Sequence, residues 1–344
     1  FRKAITMGAI LMSMGHFALA FNPMPAFYLG LGLLIIGNGF FKPNISSMVG
    51  QLYGDESKRK DSGYTIFYQG INVGAFLGSI LCGYLAEKVG WHWGFGLAGV
   101  FMVIGMIQFQ LSQKMFGHIG LAPKDQEKQI EETAVEEEPP KKEGLTKVER
   151  DRLIVVGVLA FFSIFFWAAF EQAGSSMNIF ARDYTDRDLV GSSAMLFKVV
   201  SAIISFLPVA ILVWLFGGLV SKLGKEYRLG MGFMALSITI LIGMLSWMVY
   251  DQFSADETEV PATWFQSLNA LFIFTLAPLF SWVWRRLADT RFNPTGPQKF
   301  SIGLILLGIG FVPLVNATAG IVGADGAVKV SMIFLVLAYL LHTM

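Results

Sequence analysis

The stretch GNGFFKPNISSMVG (residues 37–50) sets a lysine behind two phenylalanines and ahead of a proline, inside one of the most apolar runs of the chain. That run, 26–50, is long enough to cross a hydrocarbon core of about 30 Å at about 1.5 Å per helical residue. Lys42 therefore stands where water is scarce. Placing a charge there costs about 2.5–3.5 kcal/mol on insertion scales, so it needs a wet cavity or a partner.

Outward from this stretch the chain keeps the same character. Of its 344 residues 54% are hydrophobic and 15% charged, against about 25% charged in a soluble domain. The charge collects in short clusters between apolar runs at 4–22, 26–50, 64–87, 91–112, 153–180, 194–222, 229–250, 264–287 and 299–320, with a tenth beginning near 328. The expected fold class is an all-α polytopic membrane protein. A β-barrel is excluded, because its strands would be about ten alternating residues. Cys82 is alone, and His16, His92, His118 and His342 fall on separate segments without ligand spacing, so neither a disulfide framework nor a metal site is expected. No basic tract points to nucleic acid, no obligate protein partner is predicted, and no nucleophile–base pattern points to an enzyme. The chain opens on Phe1 and stops within LVLAYLLHTM, and the expectation is that part of the protein is missing at each end.

Basic residues in short loops mark the cytoplasmic side. Arg2 and Lys3, the loop DESKRKDSG (55–63), the segment after 112, SKLGKEYR (221–228) and RRLADTRFNPTGPQK (285–299) are basic, whereas NPMP (22–25) and DQFSADETEVP (251–261) carry no lysine or arginine. Every second connection is thus basic, in register with the span count. Residues 113–152 are charge-rich and broken by Pro139 and Pro140, and read as a solvated, partly disordered cytoplasmic linker. They divide a partial N-terminal bundle, 1–112, from a partial C-terminal bundle, 153–344, that contains a hairpin at about 194–250. Two bundles joined by a cytoplasmic linker is a secondary-transporter layout.

Lys198, Arg182, Glu87 and Lys88 lie near span ends and can snorkel to an interface. Lys42 and Glu171 lie well inside their spans. Asn38, Lys42 and Ser46 share a stripe, and Pro43 leaves the Gly39 carbonyl without its helical donor. On the next span Gly70, Gly74, Gly78 and Cys82 form a small-residue ridge that predicts tight helix contact. Tyr64, Tyr68 and Asn72 lie about 200° away and would present hydroxyls and an amide to a cavity. Trp167, Glu171, Gly174 and Asn178 follow the spacing of one helical face, and Gln266 and Asn269 stand three apart. The competing reading is structural: a locking ion pair for the two charges, and helix–helix hydrogen bonds for each lone amide.

The motif GNGFFKPNISSMVGQLYGDESKRKDSGYTIFYQGINVGAFLG (37–78) resembles the signature region of the proton-dependent oligopeptide transporters, the POT family of the major facilitator superfamily. FFWAAFEQAGSSMNIF (165–180) is similar to that family's seventh helix, WFQSLNALFIFTLAPLFSWVW (264–284) to its eighth, NPTGPQKFSIGLILLGIGF (293–311) to its ninth, and YLLHTM (339–344) to the start of its tenth. The resemblance implies the two-bundle architecture of the superfamily with an extra helical hairpin, in a chain lacking the family's first two and last helices. It implies proton-coupled symport of di- and tripeptides across the bacterial inner membrane, driven by the proton gradient without a cofactor. Lys42 would serve the peptide carboxylate and proton coupling, and Glu171 the proton. Asn72 and Asn269 would contact the peptide backbone, Trp167 would shape the pocket, and Tyr68, with Tyr64, Asn38 and Gln266, would complete it. The alternatives are transport of another small solute (nitrate, a drug or an amino-acid derivative) and a transport-inactive receptor or scaffold. The hairpin 194–250 is expected to be a peripheral accessory, apolar all round and without a polar cluster.

Overall fold

The computed structural model describes residues 1–53, 57–121, 146–288, 290–319 and 329–344. Of the linker expected at 113–152, residues 122–145 lie outside these, as does part of the loop 55–63, while Gln113–Phe116 form a 3₁₀ turn and the residues from Lys147 on begin a helix. The protein is an all-α polytopic membrane protein. Eight helical stretches are long and apolar enough to span a membrane among the described residues.

Helices α1 (Arg2–Leu19), α2 (Met24–Gln51), α3 (Ser57–Lys88) and α4 (Trp91–Leu111) follow the first four runs. Helix α1 is not among the eight, because Arg2 and Lys3 occupy its first turn. Pro23 and Pro25 open α2, where missing N–H groups cost nothing. Between α3 and α4 the chain turns at Gly90, whose φ of 145° is rarely open to a residue with a Cβ. Helix α1 lies along α2 with glycines in the contact. A Cβ on Gly37 would come within 2.6 Å of Met12 Cγ and 2.9 Å of the Gly8 carbonyl, and one on Gly15 within 3.0 Å of the Gly30 carbonyl.

The run 153–180 is not one helix. Helix α5 (Lys147–Phe170) starts on a capping box, with Glu149 Oε2 accepting from Thr146 N at 2.7 Å, and ends before a single 3₁₀ turn at Glu171–Gly174. Helix α6 (Ser176–Asp183) resumes after Ser175. Small polar residues make the break: Gln172 Nε2 donates to the Ala168 carbonyl at 3.0 Å, and Ser176 Oγ donates to Gln172 Oε1 at 2.6 Å. The single helical face expected for Trp167, Glu171, Gly174 and Asn178 is therefore interrupted.

Helices α7 (Gly191–Leu223) and α8 (Arg228–Ser254) form the hairpin. Helix α9 (Ser267–Ala288) is preceded by a 3₁₀ turn at Ala262–Gln266. The run 299–320 is broken near Phe311 into α10 (Gly296–Gly310) and α11 (Val312–Ala319), and α12 (Ile333–Thr343) closes the chain. A two-residue strand, Thr185–Asp186, pairs in parallel with Val330–Ser331.

By contact the chain forms two compact units, Phe1–Val135 with Leu189–Glu259, and Glu136–Asp188 with Val260–Met344. The hairpin thus groups with α1–α4, although the helices flanking it in sequence belong to the other unit. It packs on α3 and α4, and it is not apolar all round. Lys198, Ser201, Ser205 and Gln252 are all buried. The expected ridge Gly70, Gly74, Gly78 has nothing within 4 Å of the position a Cβ would take. The buried stripe of α3 is instead Asn72, Phe76, Ile80 and Tyr84.

Candidate functional site

In the first unit the candidate residues lie on α2 and α3. Lys42 and Asn38 are exposed side chains of α2. Pro43 removes a helical donor beside them, and three side chains dress the weakened turns. Asn44 Nδ2 donates to the Phe40 carbonyl at 2.8 Å, Ser46 Oγ to the Lys42 carbonyl at 3.1 Å, and Ser47 Oγ to the Pro43 carbonyl at 2.9 Å. Such back-bonding keeps the helix intact while loosening its main-chain ladder. Tyr64 Oη donates to the Ser46 carbonyl at 3.2 Å, which ties α3 to the turn after Lys42. Tyr68 is half exposed. Asn72 is 6% exposed and donates Nδ2 to the Tyr68 carbonyl at 2.8 Å, so its amide turns back on its own helix. Among the described residues Lys42 has no ion pair.

In the second unit Trp167 and Glu171 are exposed at the end of α5. The indole is edge-on to Phe170, with ring centroids 5.8 Å apart, and Phe166 stacks on Phe170 at 5.5 Å. Glu171 opens the 3₁₀ turn. Asn178 belongs to α6, beyond the break, and its Oδ1 is buried. Gln266 ends the 3₁₀ turn before α9, and Asn269 lies in the first turn of α9.

The polar residues of α12 are what sequence reading missed. Asn269 Nδ2 donates to Thr343 Oγ1 at 3.0 Å, and Thr343 Oγ1 donates to the Tyr339 carbonyl at 2.7 Å. Tyr339 Oη in turn donates to the Ala173 carbonyl at 3.3 Å, inside the turn that begins with Glu171. Asn269 and the Glu171 turn are therefore joined through α12. The signal was present, since Tyr339 and Thr343 are one helical turn apart on a common face of YLLHTM.

The profile described as the POT family matches residues 2–136 and 246–344. The chain belongs to the POT family. The matched segments include Lys42, Tyr64, Tyr68, Asn72, Gln266 and Asn269, and leave Trp167 and Glu171 between them. The chain is similar to the peptide transporter YePEPT of Yersinia enterocolitica, 28% identical over 396 aligned residues, covering 100% of this chain and 64% of that protein. It is 34% identical over 352 residues to the uncharacterized transporter YclF of Bacillus subtilis, covering 97% of this chain and 62% of YclF. Among solved structures it resembles a peptide transporter POT in complex with sulfate, with a TM-score of 0.55, 27% identity, and coverage of 99% of this chain and 64% of the other. The POT chain described here thus spans less than two thirds of the length of these relatives.

Proposed function

We propose that the full-length protein carries di- and tripeptides across the bacterial inner membrane together with protons, with residues 113–152 on the cytoplasmic side. The observation that carries this reading is Lys42, an exposed ammonium within a 28-residue apolar helix that has no ion pair among the described residues. A cation held in a membrane suits a substrate that brings a carboxylate. The relatives named peptide transporters support the substrate class.

The remaining roles follow from chemistry. Tyr68 and the aromatic group around Trp167 offer apolar room with a hydroxyl, and the amides of Asn38, Asn72, Gln266 and Asn269 match a peptide backbone. Glu171 is the candidate proton carrier. A carboxyl that alternates between protonated and ionised states can bias two conformations differently, and it stands in a 3₁₀ turn whose carbonyl at Ala173 is held by Tyr339.

The test is uptake of labelled dialanine by full-length protein in proteoliposomes with an imposed pH gradient. Accumulation in the wild type, abolished when the gradient is collapsed, is the expected result. Glu171→Gln should still exchange peptide for peptide and fail to concentrate it. Loss of exchange as well would make Glu171 a peptide ligand, and uptake of nitrate in place of dialanine would overturn the substrate class.

A further inference from the structure

The α7–α8 hairpin meets α3 through polar groups that the transport reading leaves unused. Tyr84 Oη donates to Asp251 Oδ2 at 2.6 Å, and the Tyr84 ring is edge-on to Trp247 with centroids 6.0 Å apart. Trp247 and Asp251 are one turn apart on α8, so together they grip the ring and its hydroxyl. Behind them the two hairpin helices are tied to each other. Ser201 Oγ donates to Gln252 Oε1 at 3.0 Å, and Lys198 Nζ donates to the Ala255 carbonyl at 2.9 Å. Lys198 is only 9% exposed and so does not snorkel to water.

Helix α3 is the element that carries Tyr64, Tyr68 and Asn72. Its buried stripe, Asn72, Phe76, Ile80 and Tyr84, runs at intervals of four from the candidate site to the Asp251 bond, and each member is 6% exposed or less. Gly70, Gly74 and Gly78 offer no side chain and have nothing within 4 Å. At its far end the stripe meets the hairpin through Tyr84, beside the approach of α4 to the Cys82 carbonyl. We propose that the hairpin braces α3, and that Asp251, acting through Tyr84, is a positioning residue for peptide binding; the peptide half of this statement rests on the transport reading above. The hydroxyl–carboxylate bond is charge-assisted, and removing either partner leaves the other without it in a part-buried contact. A rigid helix carries a displacement of Tyr84 along to Asn72 and Tyr68, where small misplacements are costly.

Full-length variants in proteoliposomes test this. Tyr84→Phe and Asp251→Ala should each raise the KM for labelled dialanine about tenfold, with the maximal rate changed less than about twofold. Asp251→Asn keeps a carbonyl oxygen for the Tyr84 hydroxyl and should stay near wild type. The double variant Tyr84→Phe/Asp251→Ala should be no worse than either single one, since both remove the same bond. Wild-type KM values in both single variants, or additive effects in the double, would overturn the assignment. Hydrogen exchange on the detergent-purified full-length protein reports without any substrate. Asp251→Ala should accelerate exchange at residues 64–72 as well as near Tyr84, and acceleration confined to the hairpin and 84–88 would overturn the brace. A wild type that takes up no dialanine would sink the transport reading, while the exchange result still decides the brace.

Discussion

Two glycine stripes in this protein look alike in sequence and behave differently in the structure. Gly8 and Gly15 on α1 face Gly37 and Gly30 on α2, and in each pair an added Cβ would collide with main-chain atoms across the contact. Gly70, Gly74 and Gly78 on α3 recur at the closer spacing of four, yet nothing stands within 4 Å of them. A small-residue stripe states how near a backbone can come, and a second stripe in register is needed before anything comes that near. On α1 and α2 the spacing of seven is matched from both sides across a loop of four residues, 20–23. On α3 no matching stripe faces it among the described residues, and α4 approaches further along, where Gly94 meets the Cys82 carbonyl.

The comparison can be broken by adding volume. Gly37→Leu should be the most damaging change, lowering stability by about 3 kcal/mol or preventing accumulation in the membrane, because Met12 and the Gly8 carbonyl leave no room. Thermal unfolding of the detergent-purified protein checks it, and a wild-type midpoint would mean the α1–α2 contact is looser than described. Gly15→Ala should cost less, about 1–2 kcal/mol, since one of its nearest neighbours is the side chain of Leu34. Gly74→Ala should have the opposite sign, stabilising by up to about 1 kcal/mol through helix propensity. A clear loss of stability in the full-length protein would show that a partner covers this stripe.

Lys42→Ala sharpens the contrast within one helix. Lys42 stands about 140° around α2 from Gly37 at about 100° per residue, and its side chain is exposed. Stability should therefore change by less than about 0.5 kcal/mol, while dialanine uptake by the full-length protein falls at least about a hundredfold. Equal uptake by the folded variant would remove Lys42 from the substrate site.

Most of the helix inventory was legible, because apolar length is a property each segment carries by itself. Runs such as 26–50 and 91–112 became α2 and α4 with ends shifted by a residue or two. The breaks were harder to see. Glu171–Ser175 lies inside a run long enough to be one helix, and the cluster Glu171, Gln172, Gly174, Ser175, Ser176 marked the break. The candidate residues of α2 were placed by spacing alone, since an exposed stripe follows from helical period. Asn72 was read as presenting its amide to a cavity, whereas its burial and its bond to the Tyr68 carbonyl depend on how α3 is covered. The bond from Tyr84 to Asp251 joins residues 167 apart, and nothing local to either residue announces it.

The hairpin leaves the second unit after Asp188 and returns at Val260. Those two points are already stitched together. Val260 N donates to the Arg187 carbonyl at 3.0 Å, and Arg187 Nη1 donates to the Val260 carbonyl at 2.6 Å. An excursion that starts and finishes at one spot can be cut out or spliced in without pulling apart the two ends that flank it. Arg187 and Val260 thus mark a point where a fluorescent protein could be inserted. A chain resealed there would keep its threading through the bilayer and lose only the support that the hairpin lends to α3.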